Sequence, residues 1–111
     1  MNGFDARDAH HYILSHIDPK AFGVIRAEIP AIIDAFLLYD LHFMRLTGVL
    51  DENDDRGENE YDDDEAFEYI FDAYLSDACC DDDIAMVVAT LLNRYMELQY
   101  EYLKNHGLAE A

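Results

Sequence analysis

The sequence predicts an all-α protein, a four-helix bundle made of two similar helical hairpins that a long acidic loop joins. Apolar residues recur at helical spacing in four segments, and no segment alternates with the period of two that strands show. The second and fourth segments also match each other at an offset of 59 residues. With 111 residues, 51% of them hydrophobic, the chain has the size of a single domain and enough apolar side chains for one core.

The first hairpin is predicted over about residues 5–47. Its first helix, about 5–17, begins at Asp5, a residue type that caps helix N-termini. Its second helix runs from about 19 to 47 and contains Pro30. Because proline lacks the N–H that a helix interior uses, we expect this helix to be kinked or split at Pro30.

The second hairpin is predicted over about residues 63–107, as helices of about 63–78 and 82–106. The last helix of each hairpin ends alike, with two bulky apolar residues, a cation, two further residues, a glycine and an aliphatic residue. The glycines are Gly48 and Gly107, and this ending is typical of a C-cap with glycine in the left-handed conformation. The two hairpins therefore read as an internal repeat within one domain, residues 1–111.

The negative charge of the chain is concentrated between Asp51 and Asp83. This stretch has sixteen carboxylates and one cation, Arg56, so it carries −15 of the net −18. Such a surface repels phosphates and anionic lipids, which argues against direct binding of nucleic acid or a membrane surface. The sequence instead predicts a basic protein surface as partner. The expected partner-binding residues form an acidic face: Asp62, Asp63, Asp64, Glu65, Glu68, Asp72, Asp81, Asp82 and Asp83.

Three functional interpretations of this charge stay open. The leading one is a non-enzymatic protein-interaction module. A sharper version is a DNA-mimic, antitoxin or immunity-type inhibitor that imitates phosphates, and the plainest is an acidic surface that serves only solubility. The bundle also allows a homodimer through exposed tyrosines and aliphatic residues.

The connection, about residues 48–62, supplies a second class of function. From Asp51 onward it resembles the calcium loop of an EF-hand, with oxygen-bearing residues at positions one, three, five, nine and twelve. It departs from that pattern at position six, where Arg56 replaces the glycine of the sharp turn. The composition of the connection favours disorder in the absence of a counter-charge. The candidate calcium ligands are Asp51, Asn53, Asp55, Asn59 and Asp62.

Asp40 lies on the otherwise apolar stripe of the second helix, aligned with Gln99 in the repeat. A buried carboxylate needs a partner or a raised pKa, so we expect Asp40 to bond a tyrosine hydroxyl, a histidine or an arginine, or to reach the surface. The alternative is a metal or catalytic role together with neighbouring imidazoles, from His10, His11 and His42.

Nothing in the sequence indicates a catalytic mechanism or a cofactor. No nucleophile elbow and no phosphate-binding glycine pattern is present, so we expect no enzyme activity and no cofactor. Cys79 and Cys80 are adjacent, which favours two reduced thiols over a disulfide. The N-terminus has no signal-peptide pattern, and the longest apolar run, near Ile84 to Leu92, is too short for a membrane span, so a cytoplasmic location is predicted.

Overall fold

The protein is all-α, as the sequence predicts. The computed structural model describes residues 4–53, 56–78 and 81–108. Among these residues no strand forms, and the single β contact is an isolated bridge between Leu50 and Arg56. No helix in the described part of the chain is both long and apolar enough to cross a membrane. The elements are helices α1 (Ala6–Ser15), α2 (Ile29–Thr47), α3 (Asp63–Asp77) and α4 (Asp82–Asn105), with a 3₁₀ segment (Pro19–Glu28) between α1 and α2.

The second helix is shorter than predicted, because α2 begins at Ile29 and not near residue 19. Within the 3₁₀ segment, Phe22 and Ile25 have non-helical backbone angles (φ −125°, ψ 44° and φ −114°, ψ 15°). Both side chains are buried, so packing overrides the helical spacing of their segment. Pro30 lies in the first turn of α2, where the N–H it lacks would have no helical partner.

Short polar and glycine caps set the ends of the helices. The carboxylate of Asp5 accepts hydrogen bonds from the backbone N–H of Arg7 and of Asp8 at 3.1 and 3.2 Å, which fixes the start of α1. Gly48 follows α2 with a φ of 81°, and Gly107 follows α4 with a φ of 72°. Residues with a side chain rarely adopt this left-handed conformation, so both glycines are the helix stops that the sequence predicts.

The core lies where α2 and α4 face each other. α1 packs against α2 and α4, and α3 packs against the same two helices from another side. Phe36 and Tyr95 are fully buried at this centre, with ring centroids 5.5 Å apart in an edge-to-face arrangement. Aromatic pairs in this geometry contribute beyond their buried area, so the pair joins α2 to α4 strongly.

Candidate interaction surface

The start of α3 gathers the densest group of carboxylates. Asp62 is the N-cap, and its Oδ1 accepts from the backbone N–H of Asp64 at 3.1 Å and of Glu65 at 3.2 Å. Asp62, Asp63 and Asp64 are exposed, and each offers an oxygen within 4.8 Å of the others. The partial positive charge of a helix N-terminus offsets part of the repulsion among these carboxylates. One cationic group of a partner would therefore meet three carboxylates at once.

The acidic face continues along α3 and into α4. Glu68 and Asp72 are exposed on α3, one and two turns beyond the first-turn carboxylates. Asp81 caps α4 by accepting from the N–H of Ile84 at 2.9 Å, and exposed Asp82 and Asp83 occupy its first turn. The structure thus places every residue of the predicted acidic face at the protein surface.

Asp77, at the end of α3, is tied to α2. It accepts a hydrogen bond from the hydroxyl of Tyr39. This bond, with some burial, raises the pKa of Tyr39 to about 12. Cys79 and Cys80, between α3 and α4, lie outside the described residues, and the prediction of reduced thiols stays a prediction.

The described part of the connection is built around backbone hydrogen bonds, which the sequence composition did not indicate. Gly57 N–H donates to the carbonyl of Val49 at 2.7 Å, and Asn59 N–H donates to that of Gly48 at 3.1 Å. A Cβ on Gly57 would overlap the carbonyl of Gly48, so only glycine permits this close approach. Val49 and Leu50 are buried and anchor the connection to the core.

The candidate calcium ligands are partly engaged in this local structure. The amide of Asn59 donates to the carbonyl of Thr47 at 2.6 Å, Asp51 accepts from the N–H of Asn53 at 2.8 Å, and Asp62 caps α3. Asp55 lies outside the described residues. Calcium binding by this loop stays a prediction.

Asp40 is the one fully buried carboxylate of the described chain, and tyrosine hydroxyls bond it, which is one of the alternatives predicted. Tyr95 donates to Oδ2 at 2.6 Å, and Tyr61 lies 2.9 and 3.0 Å from the two oxygens. Gln99 Nε2 also donates to Oδ2, at 3.1 Å. Burial raises the pKa of Asp40 to about 6, although the three hydrogen bonds lower it in part. No imidazole takes part in this set of bonds.

The histidines that were grouped with Asp40 as an alternative site lie elsewhere. His10 Nε2 is 3.1 Å from Asp34 Oδ1 and 3.1 Å from the carbonyl of Pro30, at the α1–α2 surface. The ring of His42 is exposed and stacks on Tyr69 at 6.1 Å. His11 is exposed on α1, so the structure does not bring these imidazoles together with Asp40.

Sequence reasoning missed two carboxylates that lie beside the acidic face. Glu97 and Glu101, one turn apart on α4, border a groove whose other side is the first two turns of α3. They are distant from the acidic stretch in sequence, and the residues 59 positions earlier, Leu38 and His42, are not acids. Only the packing of α3 on α4 brings them to the acidic face.

Comparison with protein-family models, with curated proteins and with solved structures gave no match.

Proposed function

We propose that the protein is a non-enzymatic interaction module that binds a basic partner surface through the acidic stretch 51–83. The observation that carries this proposal is exposure: every described carboxylate of the stretch is at the surface. Its one cation, Arg56, lies 3.3 Å from Glu60, so a single positive charge stands against the sixteen carboxylates of the stretch. A field of one sign on one region speeds association with an oppositely charged partner and makes binding depend steeply on salt.

The setting of these carboxylates supports recognition rather than diffuse attraction. The carboxylates in the first turns of α3 and α4 lie on helices whose N-cap side chains accept hydrogen bonds from the backbone. A group on a rigid element loses little conformational entropy on binding, which favours a defined partner geometry.

We also propose that the four helices are two copies of one hairpin, about 5–47 and 63–107, packed as a four-helix bundle. Each of the eight buried residues of α2 has a buried counterpart 59 positions later in α4. Ala9 and Ile13, the buried residues of α1, have buried counterparts in α3, Ala66 and Ile70, 57 positions later. This agreement in burial supports the repeat, and it includes the polar pair Asp40 and Gln99.

The experiment compares two double variants that lose the same charge. Glu68→Gln with Asp72→Asn removes two carboxylates from the acidic face, whereas Glu28→Gln with Asp34→Asn removes two exposed ones from the other half of the chain. An oligo-lysine peptide is titrated into each protein at about 50 and about 150 mM salt, where the Debye length falls to about 8 Å.

We expect the first variant to bind the peptide several-fold more weakly than the second, with the difference largest at low salt. Equal weakening by both variants would mean that the peptide senses net charge alone, and the surface would serve solubility. Retained folding is checked by far-ultraviolet circular dichroism for both.

A further inference from the structure

A groove with an apolar floor and an acidic rim runs between α3 and α4. It consists of two adjoining depressions of about 560 and 390 Å³, which share Asp63, Asn93 and Met96. The floor is formed by Met96, which is buried, and by the half-buried rings of Phe67 and Tyr100. The rim carries exposed carboxylates from both helices, namely Asp63, Asp64, Glu68, Glu97 and Glu101.

Two of the rim carboxylates are held in place by neighbours. Glu101 accepts from the hydroxyl of Tyr12 at 2.9 Å, and Glu97 lies 3.7 Å from Arg94. At one end, the ammonium of Lys104 lies over the Tyr100 ring, 5.6 Å from its centroid. A like charge there limits how far a cationic ligand extends along α4.

The surface between α1 and α2 has a groove at the corresponding positions of the other hairpin, with a volume of about 340 Å³. Its charge is different. Arg7 stands where α3 has Asp64, and Leu38 stands where α4 has Glu97. Because the same kind of groove occurs in both halves, the packing of the helices does not require an acidic rim. Of these two grooves, only the one between α3 and α4 has carboxylates on both sides.

We propose that the α3–α4 groove binds a basic amphipathic helix of a partner protein, with its apolar face on the floor and its cations on the rim. This inference rests on the proposed function and specifies the partner of that same surface. Charge complementarity selects the occupant, since an acidic rim around an apolar floor fits lysine or arginine flanking an apolar stripe. From Asn93 to Lys104, α4 extends about 16 Å, so the groove accommodates roughly three turns of helix.

Three peptide probes of equal charge separate the effect of an apolar helical face from the effect of charge. The first places leucines at helical spacing among lysines, the second has the same composition in scrambled order, and the third is oligo-lysine. Each carries a fluorescent label, and anisotropy measures its affinity for the full chain at about 50 and about 150 mM salt.

Two sets of variants then locate the site. Phe67→Ala removes apolar floor, Phe67→Leu restores it, and Phe71→Ala is the matched control one turn further along α3, where the half-buried ring lies outside the groove. Glu97→Gln with Glu101→Gln neutralises the α4 rim while the amides keep hydrogen-bonding capacity, and Glu28→Gln with Asp34→Asn is the charge-matched control.

We expect the amphipathic peptide to bind at least tenfold more tightly than the scrambled one. Phe67→Ala should weaken it by about tenfold, with recovery in Phe67→Leu and little change in Phe71→Ala. The α4 rim variant should weaken it several-fold more than its control.

The other outcomes overturn the inference in different ways. If the three peptides bind equally and only the carboxylate variants weaken binding, the acidic surface binds cations but the groove does not recognise a helix. The proposed function would then still hold without this inference. If no peptide binds at about 50 mM salt, both proposals fail together.

Discussion

Asp40 and Gln99, 59 residues apart, meet side chain to side chain in the middle of the core. Both are fully buried, and Gln99 Nε2 donates to Asp40 Oδ2 at 3.1 Å. Because their side chains are in contact, a carboxylate at both positions would place two like charges together, whereas an amide opposite a carboxylate forms a hydrogen bond. Gln99 Oε1 has no partner among the described residues. If Asp40 takes up a proton, rotation of the Gln99 side-chain amide by half a turn would let Oε1 accept a hydrogen bond from the carboxyl group of Asp40.

The first prediction concerns pH. The pKa of Asp40 is about 6 in the folded protein and 3.8 in an ordinary setting, so the folded chain holds a proton that the unfolded chain releases between these values. The contribution of Asp40 is therefore most favourable below about pH 4 and is lost as the pH rises through about 6, by on the order of 3 kcal/mol at ~1.4 kcal/mol per pKa unit. Urea unfolding at a series of pH values measures it.

Acidification also raises the stability by weakening the repulsion among the surface carboxylates. Asp40→Asn separates the effect of Asp40 from this second effect. The variant should show a smaller loss of stability between pH 5 and 7 than the natural chain. Glu28→Gln, at the exposed N-terminal end of the same helix, should leave the slope unchanged. A slope that Asp40→Asn does not alter would show that Asp40 titrates normally.

The second prediction concerns Tyr61. Tyr61→Phe keeps the ring and removes a buried hydroxyl that donates to Asp40, which should cost about 2 kcal/mol at pH 7 since hydrogen bonds to charged groups contribute ~1.5–3 kcal/mol. Because that bond also lowers the pKa of Asp40, its loss should move the pH-dependent step to higher pH. Tyr69→Phe is the control, because the Tyr69 hydroxyl makes no hydrogen bond within the described chain. Equal losses in both variants would contradict the prediction.

The third prediction compares the two helix-ending glycines. Gly107→Ala should cost about 1 kcal/mol, since only the left-handed backbone opposes it and the space around it is open. Gly48→Ala should cost more, because the new Cβ would lie 2.7 Å from Nδ2 of Asn59 and disturb its bond to Thr47. Thermal unfolding of both variants gives the order of their stabilities. If Gly48→Ala were the more stable variant, the connection would adjust to the new Cβ at little cost.

The fourth prediction separates the cap of α3 from its charge. Asp62→Ala removes the acceptor for two backbone N–H groups and should destabilise the protein by about 1 kcal/mol. Asp62→Asn removes the same charge as Asp62→Ala but keeps an acceptor oxygen, so it should be the more stable of the two variants at any salt concentration. Asp5→Ala and Asp5→Asn provide the comparison at the uncrowded cap of α1. If the asparagine variant matches the alanine variant, the cap hydrogen bonds contribute nothing.

The fifth prediction concerns calcium. Because Asn59 and Asp62 already bond local backbone groups, we expect calorimetry with calcium and magnesium at about 150 mM salt to show weak heats without selectivity. A stoichiometric, calcium-selective isotherm that Asp51→Ala abolishes and Asp72→Ala spares would establish the loop as a calcium site instead.

The sequence by itself determined the features that arise within one turn of chain. The cap Asp5, the left-handed stops Gly48 and Gly107, and the exposure of the acidic residues follow from local hydrogen bonding and solvation. The helical spacing gave all four α-helices, but it failed between Pro19 and Glu28, where the burial of Phe22 and Ile25 decided the backbone.

Only the tertiary structure decided which distant residues meet. Sequence placed Asp40 on a buried stripe, but the choice of Tyr61, Tyr95 and Gln99 as its partners depends on how α2, α4 and the connection pack. The same holds for Glu97 and Glu101, which join the acidic rim only because α4 lies against α3. Local propensities act over a few residues, whereas these contacts depend on the burial of apolar faces from the whole chain, which fixes how each helix is turned toward its neighbours.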